Sequence, residues 1–275
     1  MKPSPIGVFD SGYGGLTILS EMVKTLPQYD FIYLGDNARA PYGDKSFETV
    51  YRQTLQCVKW LFDEGGCNLV ILACNTASAK ALRTIQQKDL SLHYPNKRVL
   101  GVIRPTAEII GNLSTSKHIA VLGTAGTVNS MSYLIEIEKF FPDCTVSQEA
   151  CQGWVTLVEN NRLHSPEADV LVSEHLQTVL QKDPQIDTLL LACTHYPLLM
   201  NIIQNHLPNN IKAISQGEIV ANSLVDYLNR HPEINTTCSK TADLRFFTTG
   251  IDSDFNSHAS QFFGKKLVAE HIDLQ

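Results

Sequence analysis

The sequence predicts an α/β protein of two similar, doubly wound domains with mainly parallel sheets. The domains are related by a pseudo-twofold axis, with a site in the cleft between them. Three observations point there: short apolar runs alternating with helical segments, a weak internal repeat, and a cysteine that closes an equivalent strand in each copy. Strands separated by helices pair in parallel, because each crossover lays a helix on a sheet face. Ligands of such sheets collect beyond the carboxyl ends of the strands.

Eight apolar runs read as buried strands: 6–9, 31–34, 69–73, 99–103, 119–122, 188–192, 211–214 and 244–247. Each is too short for a helix and rich in Ile, Val, Leu or Phe. Between the second and third, Phe47, Val50, Tyr51, Val58, Leu61 and Phe62 fall on one helical face. Ser46 stands before them as a cap and Gly65-Gly66 after them as a stop. Ser165-Pro166-Glu167 is a second helix start: a capping hydroxyl, proline in the first turn, and an acid favoured by the helix dipole.

The repeat joins these elements into two units. Ile6-Gly7-Val8-Phe9-Asp10-Ser11-Gly12-Tyr13-Gly14-Gly15 is an apolar strand opening into a glycine and hydroxyl loop. Ile119-Ala120-Val121-Leu122-Gly123-Thr124-Ala125-Gly126-Thr127 has the same pattern. Downstream of the first comes Leu72-Ala73-Cys74-Asn75-Thr76. Downstream of the second, at a similar interval, comes Leu191-Ala192-Cys193-Thr194-His195. The competing reading is chance similarity between α/β strands. As a duplication, the chain divides into a first domain of residues 1–97 plus 210–275, carrying Asp10 and Cys74. The second domain, residues 98–209, carries Thr124 and Cys193.

Composition narrows the function. Among 275 residues, 43% are hydrophobic and 18% charged, enough apolar material for a packed core. The formal charge is −6 and no basic run occurs, which argues against nucleic acid as the main ligand. No stretch approaches the ~18 apolar residues of a membrane span. The start shows no signal-peptide core, and the seven cysteines include no CxxC pair. Disulfide scaffolding and a zinc site are both poor readings, so reduced thiols in the cytoplasm are expected.

Two thiols facing each other across a cleft suit one task well. Inverting a Cα centre requires a base on one face and an acid on the other, and near symmetry favours two groups of one kind. Cysteine, with a reference pKa of about 8.5, reaches both protonation states near neutral pH. Asn75 and Thr76, beside Cys74, supply polar donors for a carboxylate, as do Thr194 and His195 beside Cys193. His195 is placed to exchange a proton with Cys193. Asp10 either does the same for Cys74 or holds a substrate ammonium. Taken singly, each cysteine is an ordinary buried hydrophobe, Asp10 a turn residue, and His195 a structural histidine; their recurrence in both halves is what raises the chemical reading. Cys57, Cys67, Cys144, Cys151 and Cys238 lack polar partners in the sequence and read as packing residues.

The motifs resemble those of the bacterial glutamate racemases, within the aspartate/glutamate racemase superfamily. They are Asp10-Ser11-Gly12-x-Gly14-Gly15-Leu16, Pro41-Tyr42-Gly43, Ala73-Cys74-Asn75-Thr76-Ala77, Gly101-Val102-Ile103, Gly123-Thr124-x-x-Thr127-Val128, Leu157-Val158-Glu159 and Cys193-Thr194-His195-Tyr196-Pro197. They run in the family's order from residue 6 to about 200. The resemblance implies a cofactor-independent isomerase without a metal, supplying D-glutamate for peptidoglycan. Cys74 would exchange the proton with D-glutamate and Cys193 with L-glutamate. Asp10, His195 and Glu159 would assist. Ser11, Asn75, Thr76 and Thr194 would hold the α-amino and α-carboxylate groups, while Pro41, Tyr42, Gly43, Thr124 and Thr127 would surround the rest. It also implies two α/β domains and, commonly, a homodimer.

Three stretches depart from that pattern: Cys151-Gln152-Gly153-Trp154, Arg104-Pro105-Thr106 and Ser215-Gln216-Gly217. They bear on the cleft mouth, the hinge and regulation rather than on the reaction type. Three rival readings stand beside the first. One is an aspartate or hydantoin racemase of the same superfamily. Another is a thiol hydrolase using Cys193 and His195, which leaves Cys74 idle. The third is a non-catalytic amino-acid-binding protein, which needs the cleft but not the thiols.

Overall fold

A computed structural model describes residues 3–274. In chain order its strands are β1 (Ile6–Asp10), β2 (Phe31–Gly35), β3 (Leu69–Leu72), β4 (Arg98–Gly101), β5 (His118–Gly123), β6 (Thr145–Ala150), β7 (Thr188–Ala192), β8 (Lys212–Ile214), β9 (Leu244–Thr248) and β10 (Ala269–His271). They form a six-stranded sheet, β10-β9-β2-β1-β3-β4, and a four-stranded sheet, β6-β5-β7-β8. Every pairing between them is parallel. The stretch β2-β1-β3-β4 has the same order as β6-β5-β7-β8, so the internal repeat reappears as a repeat of topology. The C-terminal strands β9 and β10 extend only the first copy.

Alternation along the central strands explains how both sheets are buried on two faces. In β1, Ile6 and Val8 face one core while Phe9 faces another. In β5, Ala120 and Leu122 join the same core as Ile6, and Ile119 and Val121 turn the other way. Each sheet therefore contributes one face to a shared apolar core and covers its outer face with helices of its own. The helix Gly217–Arg230 packs on helix Leu16–Thr25 within that shared core.

All eight apolar runs contain strands, with adjusted ends. The run 99–103 stops at Gly101 because Ile103 opens the helix Ile103–Ala107. β6 and β10 lie outside the expected runs. Both are edge strands, and the sequence Thr145-Val146-Ser147-Gln148-Glu149-Ala150 is largely polar because its outer side meets solvent. The capped helices occur where expected: Ser46 Oγ accepts from Thr49 N at 3.1 Å, and Ser165 Oγ from Ala168 N at 3.2 Å. Phe47, placed on the buried face by spacing, is 54% exposed, at the first residue of its helix.

Sheet membership also moves the expected domain divisions. β4 pairs with β3 in the first sheet, and β8 with β7 in the second, each lying just past the divisions at 97/98 and 209/210. Backbone pairing binds a strand more firmly than local composition suggests, and we propose that the units be divided by sheet.

The return of the chain to the first sheet is fastened at Asp30. Its carboxylate accepts from Thr241 N at 2.7 Å and Asp243 N at 3.0 Å, just before β9 pairs with β2. Removing the acceptor leaves two backbone donors without it. Asp30→Ala is expected to lower the unfolding free energy by about 1–3 kcal/mol, read from urea denaturation midpoints at unchanged m-value.

Candidate active site

The strand order determines where a ligand can sit. From β1 the chain crosses to β2 on one side, whereas β3 leads to β4 on the other, so a crevice opens beyond the carboxyl ends of β1 and β3. The same reversal occurs between β5 and β7. Asp10 ends β1, Cys74 follows β3, Thr124 follows β5, and Cys193 follows β7. All four strand ends meet at one cavity of about 260 Å³. Its wall carries both Cys74 and Cys193.

Of the residues expected at the site, Ser11, Pro41, Tyr42, Gly43, Asn75, Thr76, Thr124, Glu159, Thr194 and His195 also line the cavity. Asp10 and Thr127 do not: both are fully buried behind the wall. Asp10 accepts from Gly12 N at 3.0 Å and from Thr194 Oγ1 at 3.4 Å, so it braces the opposite half rather than bonding to Cys74. Thr127 Oγ1 lies 3.2 Å from that of Thr124, which is itself 2.9 Å from that of Thr76. Tyr42 lines the cavity with its ring, but its hydroxyl donates to buried Asp36 and is unavailable to a ligand.

Sequence reasoning missed Asp44, Ala125, Val155 and Thr156 on the wall, and it named Cys151, Gln152 and Gly153 only as a departure bearing on the cleft mouth. Asp44 simply continues the Pro41-Tyr42-Gly43 loop. Thr156 precedes Glu159 by three residues on helix Trp154–Glu159, a spacing that shares one helical face and was a usable signal. The sequence places Cys151 among the packing residues. It does pack in the shared core, and burial pushes its thiol well up, keeping it protonated beside the cavity.

The two thiols differ in surroundings. Cys74 caps helix Asn75–Lys80, with Sγ accepting from Ala77 N at 3.4 Å and lying 3.5 Å from Ser11 Oγ. Burial, reinforced by the charge of Asp10, pushes it up to about 12, so it rests as a thiol. Cys193 Sγ lies 4.0 Å from His195 Nδ1, and His195 Nε2 is 3.0 Å from Glu159 Oε1. Burial works against a charged imidazole, but hydrogen bonds to Cys193 and Glu159 outweigh it and raise His195 to about 10. Burial pushes Asp10 up, opposed by the positive charge of His195 and by the N–H groups of Gly12 and Gly15.

Glycines let the two halves approach this closely. A Cβ on Gly14 would collide with Thr194 Oγ1 and stand 2.5 Å from His195 Nδ1. A Cβ on Gly15 would stand 2.5 Å from that of Asp10. The glycine loop after β1 is therefore a seat for the Cys193-Thr194-His195 turn. Thr17 Oγ1 fastens it, donating to Thr194 O at 3.0 Å. On the far side of the cavity, Gly126 N donates to Gly43 O at 2.8 Å.

The sequence profile of the Asp/Glu/hydantoin racemase family matches residues 6–224. The chain belongs to that family. It is 40% identical over 272 residues to a glutamate racemase of Roseobacter denitrificans, covering 95% of this chain and 97% of that one. Among solved structures, a glutamate racemase isoform of Bacillus anthracis superposes with a TM-score of 0.89 at 35% identity, covering 100% of this chain and 99% of that one. Glutamate racemase of Francisella tularensis, solved in complex with D-glutamate, gives 0.87 at 32% identity, with the same coverage. The two parallel sheets are thus the fold of this family.

Because the seat at Gly14 sets the position of His195, Gly14→Ala is expected to cut racemase turnover on the order of a hundredfold. Circular dichroism should show an unchanged fold; wild-type turnover would mean that the turn shifts without cost.

Proposed function

We propose that this protein is a glutamate racemase that interconverts L- and D-glutamate through Cys74 and Cys193. The observation that carries the reading is one buried thiol after each of the equivalent strands β3 and β7, both opening into a single cavity. In the L-to-D direction the Cys193 thiolate takes the Cα proton, breaking the C–H bond and forming S–H. The Cys74 thiol then gives its proton to the opposite face. The net change at carbon is inversion, and the thiols return to their starting state by exchange with solvent or by the reverse turnover.

The surroundings of Cys74 and His195 fit this direction of entry. Cys74 already holds the proton to be delivered. His195, held as an imidazolium by its hydrogen bonds to Cys193 and Glu159, places positive charge beside the Cys193 sulfur. The weakly acidic Cα–H needs its developing negative charge stabilised, and fixed donors around the α-carboxylate do this. Ser11, Asn75, Thr76 and Thr194 are that donor set. Pro41, Tyr42, Gly43 and Thr124 shape the end that takes the side chain, through backbone groups and the Thr124 hydroxyl, which Thr127 backs from behind the wall. All of the work is proton transfer, which the chain's own groups supply. The product D-glutamate serves peptidoglycan synthesis. Seven free thiols suit a reducing cytoplasm, and no helix among the described residues is long and apolar enough to cross a membrane.

Incubating D- and L-glutamate separately in D₂O, followed by NMR and circular dichroism, tests the reading. Deuterium at Cα and decay of the optical signal are expected from both enantiomers. Cys74→Ser and Cys193→Ser should each lower racemisation about 10²–10⁴-fold. Exchange with aspartate or a hydantoin but not glutamate would reassign the substrate. Turnover that survives in Cys74→Ser would favour a hydrolase built on Cys193 and His195.

His195 gives a second test. An ordinary imidazole titrates near 6.5, but here the proton is kept until about 10. The kcat/KM for L-glutamate is therefore expected to fall as pH rises through about 10. His195→Asn should abolish that limb and lower the plateau about tenfold or more. An unchanged pH profile would remove His195 from the mechanism.

A further inference from the structure

Beneath Asn75 lies a closed ring of buried hydrogen bonds that none of the roles above uses. Asn75 Nδ2 donates to Gln216 Oε1 at 2.7 Å, and Gln216 Nε2 donates to the Tyr133 hydroxyl at 2.7 Å. That hydroxyl donates in turn to Asn75 Oδ1 at 2.6 Å. Gln216 Nε2 also faces Thr106 Oγ1 at 2.8 Å and Val102 O at 3.2 Å. Asn75, Gln216, Tyr133, Thr106 and Val102 are all buried. The ring gathers residues from distant parts of the chain: the turn after β3, the start of helix Gly217–Arg230, and helix Ser132–Phe140.

The direction of this ring follows from its one group that can only accept. Val102 O is a backbone carbonyl, and it already accepts from Thr106 Oγ1 at 2.9 Å. Gln216 must therefore turn its NH₂ toward Val102, Thr106 and Tyr133, which leaves its oxygen toward Asn75. Asn75 must then direct NH₂ at Gln216 and oxygen at the Tyr133 proton. Flipping Asn75 would set its oxygen against Gln216 Oε1 and take away the acceptor of the Tyr133 proton, and flipping Gln216 would set its oxygen against Val102 O and its NH₂ against that of Asn75, in a place water does not reach.

We propose that Gln216 is a positioning residue for the reaction: through this ring it locks the Asn75 amide in one of its two flip states, so that the free N–H of Asn75 is held for the substrate carboxylate. Asn75 lines the cavity beside Cys74, whereas Gln216 touches no ligand and acts only through it. The inference rests on the functional reading above, in which Asn75 belongs to the carboxylate donors. With the lock removed, Asn75 samples a flipped state that turns its carbonyl oxygen on the carboxylate. Binding then suffers in both directions of turnover, whereas the thiols are untouched.

The test is a cycle of wild type, Gln216→Met, Asn75→Ala and the double variant, with kcat and KM measured for both enantiomers. Gln216→Ser, which leaves room for water, takes the same place if the methionine variant does not fold. The Gln216 variant is expected to raise KM about tenfold with a smaller change in kcat. In the Asn75→Ala background the same substitution is expected to change KM no further. Unchanged KM in the single variant, or full additivity of the KM effects in the double, would overturn the proposal, since a glutamine that raised KM by any route other than Asn75 would do so with or without that amide. A wild-type protein that does not racemise glutamate would sink the functional reading and this inference with it. Wild-type activity with an additive cycle would sink this inference alone.

Discussion

The seating of the Cys193-Thr194-His195 turn against Gly14 is the contact on which the site depends. Inversion at one carbon requires two proton-transferring groups aimed at it from opposite sides, and transfer is sensitive to displacements of an ångström. Two sheets joined by a flexible connection would not hold such a registration. Here the glycine loop after β1 receives the turn after β7 with no room for a Cβ, and Thr17 ties the two backbones together. Buried Asp10 reaches through the same contact to Thr194. The shared core between the sheets supplies the cohesion, and this contact supplies the alignment.

Duplication explains why the site is chemically symmetric, and the surroundings explain why it is not electrostatically so. The repeated order β2-β1-β3-β4 and β6-β5-β7-β8 delivers a cysteine to each side by the same route. The first cysteine then finds a serine hydroxyl and the negative charge of Asp10, and the second a histidine paired with Glu159. One thiol is thereby stored as an acid while a cation waits beside the other. Burial and the charge of Asp10 make a Cys74 thiolate costly.

Much of this was legible in the sequence, for a physical reason. Parallel strands buried on two faces need unbroken apolar runs, and a repeat of such runs with a cysteine at the same place in each copy is hard to miss. The strands β6 and β10 were not legible, since neither carries an apolar run, unlike the other two edge strands, β4 and β8; Thr145–Ala150 reads as polar coil until its pairing with β5 is seen. The division by sheet that we propose differs from the one read along the chain, because it follows the pairing of β4 and β8 rather than composition. Twelve of the fourteen expected site residues line the cavity, and the two that do not, Asp10 and Thr127, show what motifs omit. A motif gives the neighbourhood of a side chain but not whether it faces the ligand or the residue behind it. Tyr42 is the same case within the wall, its hydroxyl spent on Asp36.

The departures at Thr106 and Gln216 make the point from the other side. Read along the chain, each is a deviation far from any catalytic motif, and neither has a reason to matter to the other. Folded, they share a hydrogen bond, and Gln216 reaches Asn75 directly. A buried polar ring contributes little net stability when complete and costs much when broken, so its members are constrained together rather than singly. A glutamine there is tolerable only with an acceptor such as Val102 O to orient it and a hydroxyl such as that of Tyr133 to complete the circuit. Such a set is invisible to any reading that takes residues one motif at a time. Its influence on the chemistry is also indirect, since it decides only which end of one amide the substrate can meet.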